Sequence, residues 1–163
     1  MVIAAQTYVF SQMPDMAIAM PGLLQGLAEA GYEAIEGLAG RPPETRQAMQ
    51  ASGLKYVATH LGTAQLEPVQ KVVEFCHTVG ADGICASGLL NWEQRTAADY
   101  RASCRALNSL GAQCLYQGVR LYYHNHEFEF EAVEGSSTGM DLLLRGLDFD
   151  CVSLCLDVGW QEL

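Results

Sequence analysis

Segments patterned as strands alternate with segments patterned as helices about six times along this chain, and no other feature constrains its fold so strongly. A strand, a covering helix and a second strand in sequence form a crossover unit, so the repeat predicts a parallel sheet clad in helices. The predicted strands are Val2–Phe10, Tyr32–Leu38, Leu54–Leu61, Gly83–Ser87, a run opening at Leu121, and Cys151–Val158. Ser11–Met20 reads as a loop or helix approach, and Pro21 as the first helical residue, where its missing N–H does no harm. That helix ends at Gly31, and others are predicted over Pro43–Ser52, Leu66–Val79, Trp92–Tyr116 and Met140–Leu147. The last strand is apolar throughout, as expected when both faces are covered. No linker, low-complexity stretch or domain boundary interrupts the pattern.

Polar residues gather late in these strands. Leu121–Phe130 starts as an apolar strand and ends by collecting His124, Asn125, His126, Glu127 and Glu129. Side chains alternate faces along a strand, so His124 and His126 share one face above Tyr122, while Tyr123 and Asn125 point the other way. Two imidazoles at a strand end suit metal binding or proton transfer. Glu36, His60 and Asp157 also sit at strand ends, which is where parallel α/β folds place their sites. Cys151, Ser153, Cys155 and Asp157 share a face. Glu36 reads equally as an ion-pair partner or a substrate contact, and His60 as a hydrogen-bonded core histidine or a site group. Tyr8, near the mouth in this arrangement, fits either core or pocket. Glu127 and Glu129 read as loop or solvent residues, and Trp92 as a cap on the long helix.

Composition narrows the partners. The chain has 163 residues, enough for one domain with a core, with 50% hydrophobic and 17% charged residues. Its formal charge of -10, with nine Lys plus Arg, argues against nucleic acid or an anionic membrane as the main partner. No apolar run is long enough to span a bilayer, and Met1–Ala5 is too short for a signal peptide. No G-x-G-x-x-G or P-loop follows the first strand, which weakens a nucleotide reading. The six cysteines, Cys76, Cys85, Cys104, Cys114, Cys151 and Cys155, form no C-x-x-C pair. They read as buried thiols in a reducing, cytoplasmic setting, and their spacing gives little support to a zinc site.

Three motifs carry a resemblance. Gly31-Tyr32-Glu33-Ala34-Ile35-Glu36 resembles the "GY-x-x-IE" strand of the xylose isomerase-like TIM barrels. Tyr123-His124-Asn125-His126-Glu127-Phe128-Glu129-Phe130 resembles the "YHNH-x-x-EF" signature of one branch, and Leu156-Asp157-Val158-Gly159-Trp160 the "LD-x-x-W" strand that follows it. This is the sugar phosphate isomerase/epimerase family, which includes inosose dehydratases, ketose 3-epimerases and hydroxypyruvate isomerases. The resemblance implies a (β/α)8 barrel, a fold of roughly 250 residues. Residues 1–163 would then form a single barrel domain with about six βα units, truncated at its C-terminus. Its first and sixth strands would present unpaired edges, so a homo-oligomer or a partner chain is expected to cover them.

The resemblance also implies a divalent metal at the strand ends. Asp157 matches one ligand position, and His124 falls where many members carry Glu, which brings Mn, Co or Zn into play beside Mg. His126 matches a position that contacts substrate, and Trp160 stands where several epimerases have a substrate-binding His, suited to stacking on a sugar face. Two further ligands would lie beyond Leu163. The implied reaction on a sugar or cyclitol is proton abstraction next to a carbonyl, through an enediolate, by His124 and Glu36. Two alternatives are an inosose dehydratase-type lyase and a non-catalytic truncated fragment, and the 163 residues alone are expected to turn over little. A DNA-repair endonuclease on the related fold is disfavoured by the charge and by the four histidines in all.

Overall fold

The computed structural model describes residues 2–10, 16–37 and 42–161. Its main sheet holds six strands: β1 (Ala4–Gln6), β2 (Ala34–Glu36), β3 (Lys55–Gly62), β4 (Gly83–Ser87), β5 (Arg120–His124) and, after a short hairpin, β8 (Val152–Cys155). The hairpin strands are β6 (Ala132–Glu134) and β7 (Ser137–Thr138). In the main sheet the order is β1-β2-β3-β4-β5-β8 and every pairing is parallel. The crossover helices are α1 (Met16–Glu29), α2 (Pro42–Ser52), α3 (Val69–Val79), α4 (Ala97–Tyr116) and α5 (Gly139–Gly146). The parallel sheet is the one that the strand and helix alternation predicted, it forms the partial TIM barrel that the resemblance implied, and β1 and β8 are its outer strands.

The core lies between the sheet and its helices. Ile35, Ile84, Leu121, Tyr123 and Val152 point outward from the strands and meet Leu24, Val73, Cys76, Leu107 and Cys114 from the helices, all of them buried. Close approach is set by missing side chains. A Cβ on Gly111 would come within 2.7 Å of the Cys151 carbonyl oxygen, so glycine lets α4 lie directly against the start of β8. On the opposite face, a Cβ on Gly83 would meet the Tyr122 ring at 2.7 Å, and its absence lets that ring cross the floor of the barrel.

Several boundaries differ from the sequence expectation. β1 is only three residues long, and Tyr8–Phe10 turns into a 3-10 helix. α1 begins at Met16, so Pro21 lies inside the helix instead of opening it. Met and Ala are good helix formers and extend the helix backward past the proline, which forfeits a single backbone bond. α4 begins at Ala97, not Trp92. Thr96 caps it by accepting the Asp99 N–H, and the Asp99 carboxylate accepts the Thr96 N–H at 2.8 Å. The β6–β7 hairpin had no strand signal in the sequence. The last strand ends at Cys155, before the expected Val158, and Val158–Gln161 is a 3-10 helix. The first part of the Ser11–Met20 segment, and Leu38, lie outside the described residues. All six thiols are free; four are buried, whereas Cys151 and Cys155 are only partly so. Among the described residues no helix is long and apolar enough to cross a membrane.

Candidate functional site

The mouth of the barrel is built by the ends of β3, β4, β5 and β8. A cavity of about 700 Å³ opens there, and its lining includes Tyr8, His60, Trp92, His124, His126, Asp157 and Trp160. Six of the seven residues singled out in the sequence thus border one space. The seventh, Glu36, lies below it beside a smaller cavity of about 210 Å³ lined also by Cys85, Tyr122 and Cys155. Glu36 joins the upper group through a hydrogen bond to His60, whose Nδ1 is 2.9 Å from Oε1. Tyr8 is a rim residue, about two-thirds exposed.

The three site histidines form a row. The rings of His60 and His124 are 4.9 Å apart, and those of His124 and His126 are 5.0 Å apart, both edge to face. His124 sits in register with Cys155 on the next strand, so their side chains lie side by side. Burial alone would lower the His124 pKa. The hydrogen bond with Cys155 and the carboxylates of Asp157 and Glu36 more than offset it, and the net shift is upward. The Cys155 thiol is pulled below its ordinary value by hydrogen bonds with Cys85 and His124, while Cys85 is pushed up by the same pairing and by burial.

His126 is held differently. Its Nε2 lies 3.3 Å from the Ser87 hydroxyl, its ring stacks on Phe128 at 5.3 Å, and Trp92 packs edge-on at 4.9 Å. Trp92 is therefore a wall of the mouth and not a helix cap. Gly88 makes room for it, since a Cβ there would run into the indole. His126 Nδ1 is buried without a hydrogen-bond partner. Burial, then the neighbouring His124, lower the His126 pKa to about 4, so the ring is neutral at physiological pH.

The outward residues of the same segment lock this geometry. Asn125 clamps the backbone of Asp157, accepting its N–H at 2.9 Å and donating to its carbonyl at 3.1 Å. One carboxylate oxygen of Asp157 accepts the Gly159 N–H at 3.0 Å and so turns the chain into the last 3-10 helix. Glu129, expected as a solvent residue, is fully buried. It accepts the Tyr123 hydroxyl at 2.5 Å and the His126 N–H at 2.7 Å, which anchors the turn that aims His126. Burial raises its carboxyl pKa against those hydrogen bonds. Glu127 is exposed, as expected.

Two arrangements could hold a metal. The donor atoms of His60, Cys85 and His124 lie within 4.8 Å of one another, and so do those of Glu36, Cys85 and Cys155. Sequence reasoning missed the two cysteines and Trp92. The only available signal was parity: Cys155 shares its face with Asp157, and Cys85 with Ser87.

No family model and no curated protein matches the chain. Solved structures do. One is a sugar phosphate isomerase/epimerase from Parabacteroides distasonis, with 24% identity and a TM-score of 0.76 over 98% of this chain and 66% of its own. Another is an AP endonuclease, family 2, from Brucella melitensis, with 14% identity and a TM-score of 0.69 over 98% and 70%. A third is the IOLI protein with a binding zinc atom, with 14% identity and a TM-score of 0.58 over 78% and 52%. The chain thus spans about two thirds of the length of the first. Its fold is that of the xylose isomerase-like TIM barrels, carried on six parallel strands.

Proposed function

We propose that this chain belongs to a metal-assisted isomerase or epimerase that moves a proton next to the carbonyl of a small sugar or cyclitol, through an enediolate. The observation that carries the reading is the Glu36–His60 pair, 2.9 Å apart beneath a mouth bordered by His124, His126 and Asp157. A carboxylate bonded to an imidazole is a proton-transfer pair: Glu36 orients the His60 ring and stabilises it when protonated. Trp92 and Trp160 offer apolar faces at the same mouth, suited to the C–H face of a sugar, and neutral His126 adds a hydrogen-bonding nitrogen. A mouth of about 700 Å³ suits a substrate of that size.

The donor set at the mouth fits a divalent ion. His124 supplies an imidazole and Asp157 a carboxylate with one oxygen left over from its backbone bond, a combination that favours Mn, Co or Zn over Mg. Those two residues would hold it. Such an ion supplies positive charge beside the substrate's carbonyl oxygen as negative charge develops there. Asn125 keeps Asp157 in place, and strand register sets His124 beside Cys155 on the inner face.

The AP endonuclease shares the fold, but a chain with net charge -10 lacks the cationic surface that DNA binding rewards. The test is proton exchange. The native protein, loaded with Mn²⁺ or Co²⁺, is incubated in D₂O with ketohexoses, their phosphates and keto-inositols, and the carbon next to the carbonyl is followed by NMR. Metal-dependent deuterium incorporation at that carbon is expected. Its absence from every substrate, with the metal bound, would overturn the reading.

A further inference from the structure

We infer a second metal site below the mouth, in which Glu36, Cys85 and Cys155 hold a thiophilic divalent ion of the zinc class. The donor atoms of these three residues all lie within 4.8 Å of one another. All three border the cavity of about 210 Å³, which is otherwise walled by Val57, Ala58, Leu154 and the Tyr122 ring. None of them belongs to the ion at the mouth, which His124 and Asp157 would hold.

Barrel topology accounts for the grouping. Glu36 is on β2, Cys85 on β4 and Cys155 on β8, which are the second, fourth and sixth strands of the main sheet. Alternate strands supply one layer of a TIM-barrel interior, and bulky Val, Ile and Leu side chains usually fill it. Here two thiols and a carboxylate stand in their place. His60 and His124 come from the strands between, β3 and β5, and border the mouth above. A buried thiol by itself is an ordinary small core group. A carboxylate beside two of them is not, because an ionised group in a mostly apolar cavity needs compensation. Glu36 Oε1 has the His60 ring at 2.9 Å, but Oε2 has only the Cys155 sulfur, a weak donor 3.8 Å away. A divalent ion would give Oε2 and both sulfurs the positive charge they lack. The other four cysteines belong to no such cluster among the described residues.

Zinc–sulfur bonds of about 2.3 Å and zinc–oxygen bonds of about 2.0 Å put the donors of a tetrahedral site roughly 3.5–3.8 Å apart. Glu36 and Cys155 are already 3.8 Å apart, and the widest pair needs to close by roughly 1 Å. Three protein donors leave one position open to the cavity, the pattern of a catalytic zinc rather than a closed structural one. Glu36 then holds His60 through one oxygen and the ion through the other, so the ion would fix the carboxylate that orients His60. The site itself does not depend on the sugar reading.

The test is cobalt spectroscopy on the native protein, stripped of metal and titrated with Co²⁺. A near-ultraviolet thiolate-to-cobalt band is expected, because an ion held at the mouth by imidazole and carboxylate gives none. Losing a direct ligand should cost at least the roughly 100-fold in affinity that loss of an outer-shell partner can cost, so Cys155→Ser should require that much more Co²⁺ and show a much weaker band. Glu36→Gln should weaken binding but keep the band, and Asp157→Asn should leave both unchanged. Wild-type alkylation gives a readout that needs no variant to fold. Zn²⁺ should protect Cys155 from iodoacetamide, with the partly exposed Cys151 still modified as an internal control. Four results would overturn the inference: no thiolate band in the folded protein, a band that survives Cys155→Ser intact, a band lost in Asp157→Asn, or Cys155 modified equally with and without Zn²⁺. A thiolate band without any deuterium exchange would sink only the sugar reading, and exchange without the band only this site.

Discussion

On the outward face of β5, Leu121, Tyr123 and Asn125 are buried, and the polar atoms of Tyr123 and Asn125 are hydrogen-bonded. On the inward face of the same segment, Tyr122, His124 and His126 are partly exposed, and one imidazole nitrogen has no partner. Alternate residues of one strand thus meet two environments. Outward groups sit under helices where water is excluded, so any polar atom there must be paired or it costs stability. Inward groups border a cavity, and the His124 and His126 rings there have shifted pKa values. Stability and chemistry are separated by parity along the strand, and each prediction below breaks or sharpens that separation.

The largest effect is expected on the inward side. Glu36→Gln keeps the shape but removes the carboxylate that orients His60 and stabilises its protonated ring, so deuterium exchange should slow about 10²- to 10⁴-fold with little change in melting temperature. A parallel fall in stability would show that Glu36 serves the fold instead. Leu107→Ala is the outward counterpart. It empties a fully buried site between α4 and the sheet and should cost about 2–5 kcal/mol in denaturant unfolding, leaving metal affinity unchanged.

Tyr123→Phe tests the junction of the two faces. It strips Glu129 of one hydrogen bond and should cost about 1–3 kcal/mol. Because Glu129 also holds the His126 N–H, crystallographic displacement of the His126 ring should accompany the loss.

The acid response follows from His126. Its pKa is about 4 in the fold against 6.5 in the unfolded chain, so the unfolded state binds more protons between those values. Its contribution is complete above pH 6.5 and is lost as pH falls through about 4, on the order of 1–2 kcal/mol after solvent screening. Glu129, with a raised pKa, acts in the opposite sense and strengthens the fold on acidification. Urea titrations at pH 7 and pH 4.5 should show His126→Gln removing the acid loss and leaving the opposite Glu129 trend. An unchanged slope would mean that His126 stays protonated in the fold. The smallest effect is Thr96→Ala, which removes the α4 cap far from the mouth and should cost about 1 kcal/mol.

The register of the inner face was legible because a strand has a period of two. His124 and His126 fall on one face and Tyr123 and Asn125 on the other from spacing alone, and the strand-end positions of Glu36, His60 and Asp157 made them candidates. Glu129 was misread because its polarity suggests solvent; only the folded turn brings the Tyr123 hydroxyl and the His126 N–H to its two oxygens. Trp92 was misread because proximity to a helix start resembles a cap, whereas Thr96 and Asp99 already satisfy that terminus.

The sequence by itself determined the strand and helix alternation, the parallel sheet that follows from it, and which residues stand at strand ends, because all three rest on local periodicity and short-range sterics. Tertiary structure decided which of those residues meet. Cys85 and Cys155 are 70 positions apart with no spacing motif, yet the curvature of a sheet with β5 between them brings their sulfurs within 4.8 Å of each other. The pairing of Glu36 with His60 arises in the same way, from two neighbouring strands in which Glu36 lies opposite Ala58 and reaches the histidine two residues further on. Contacts of this kind depend on how strands order and curl, and periodicity carries no record of that.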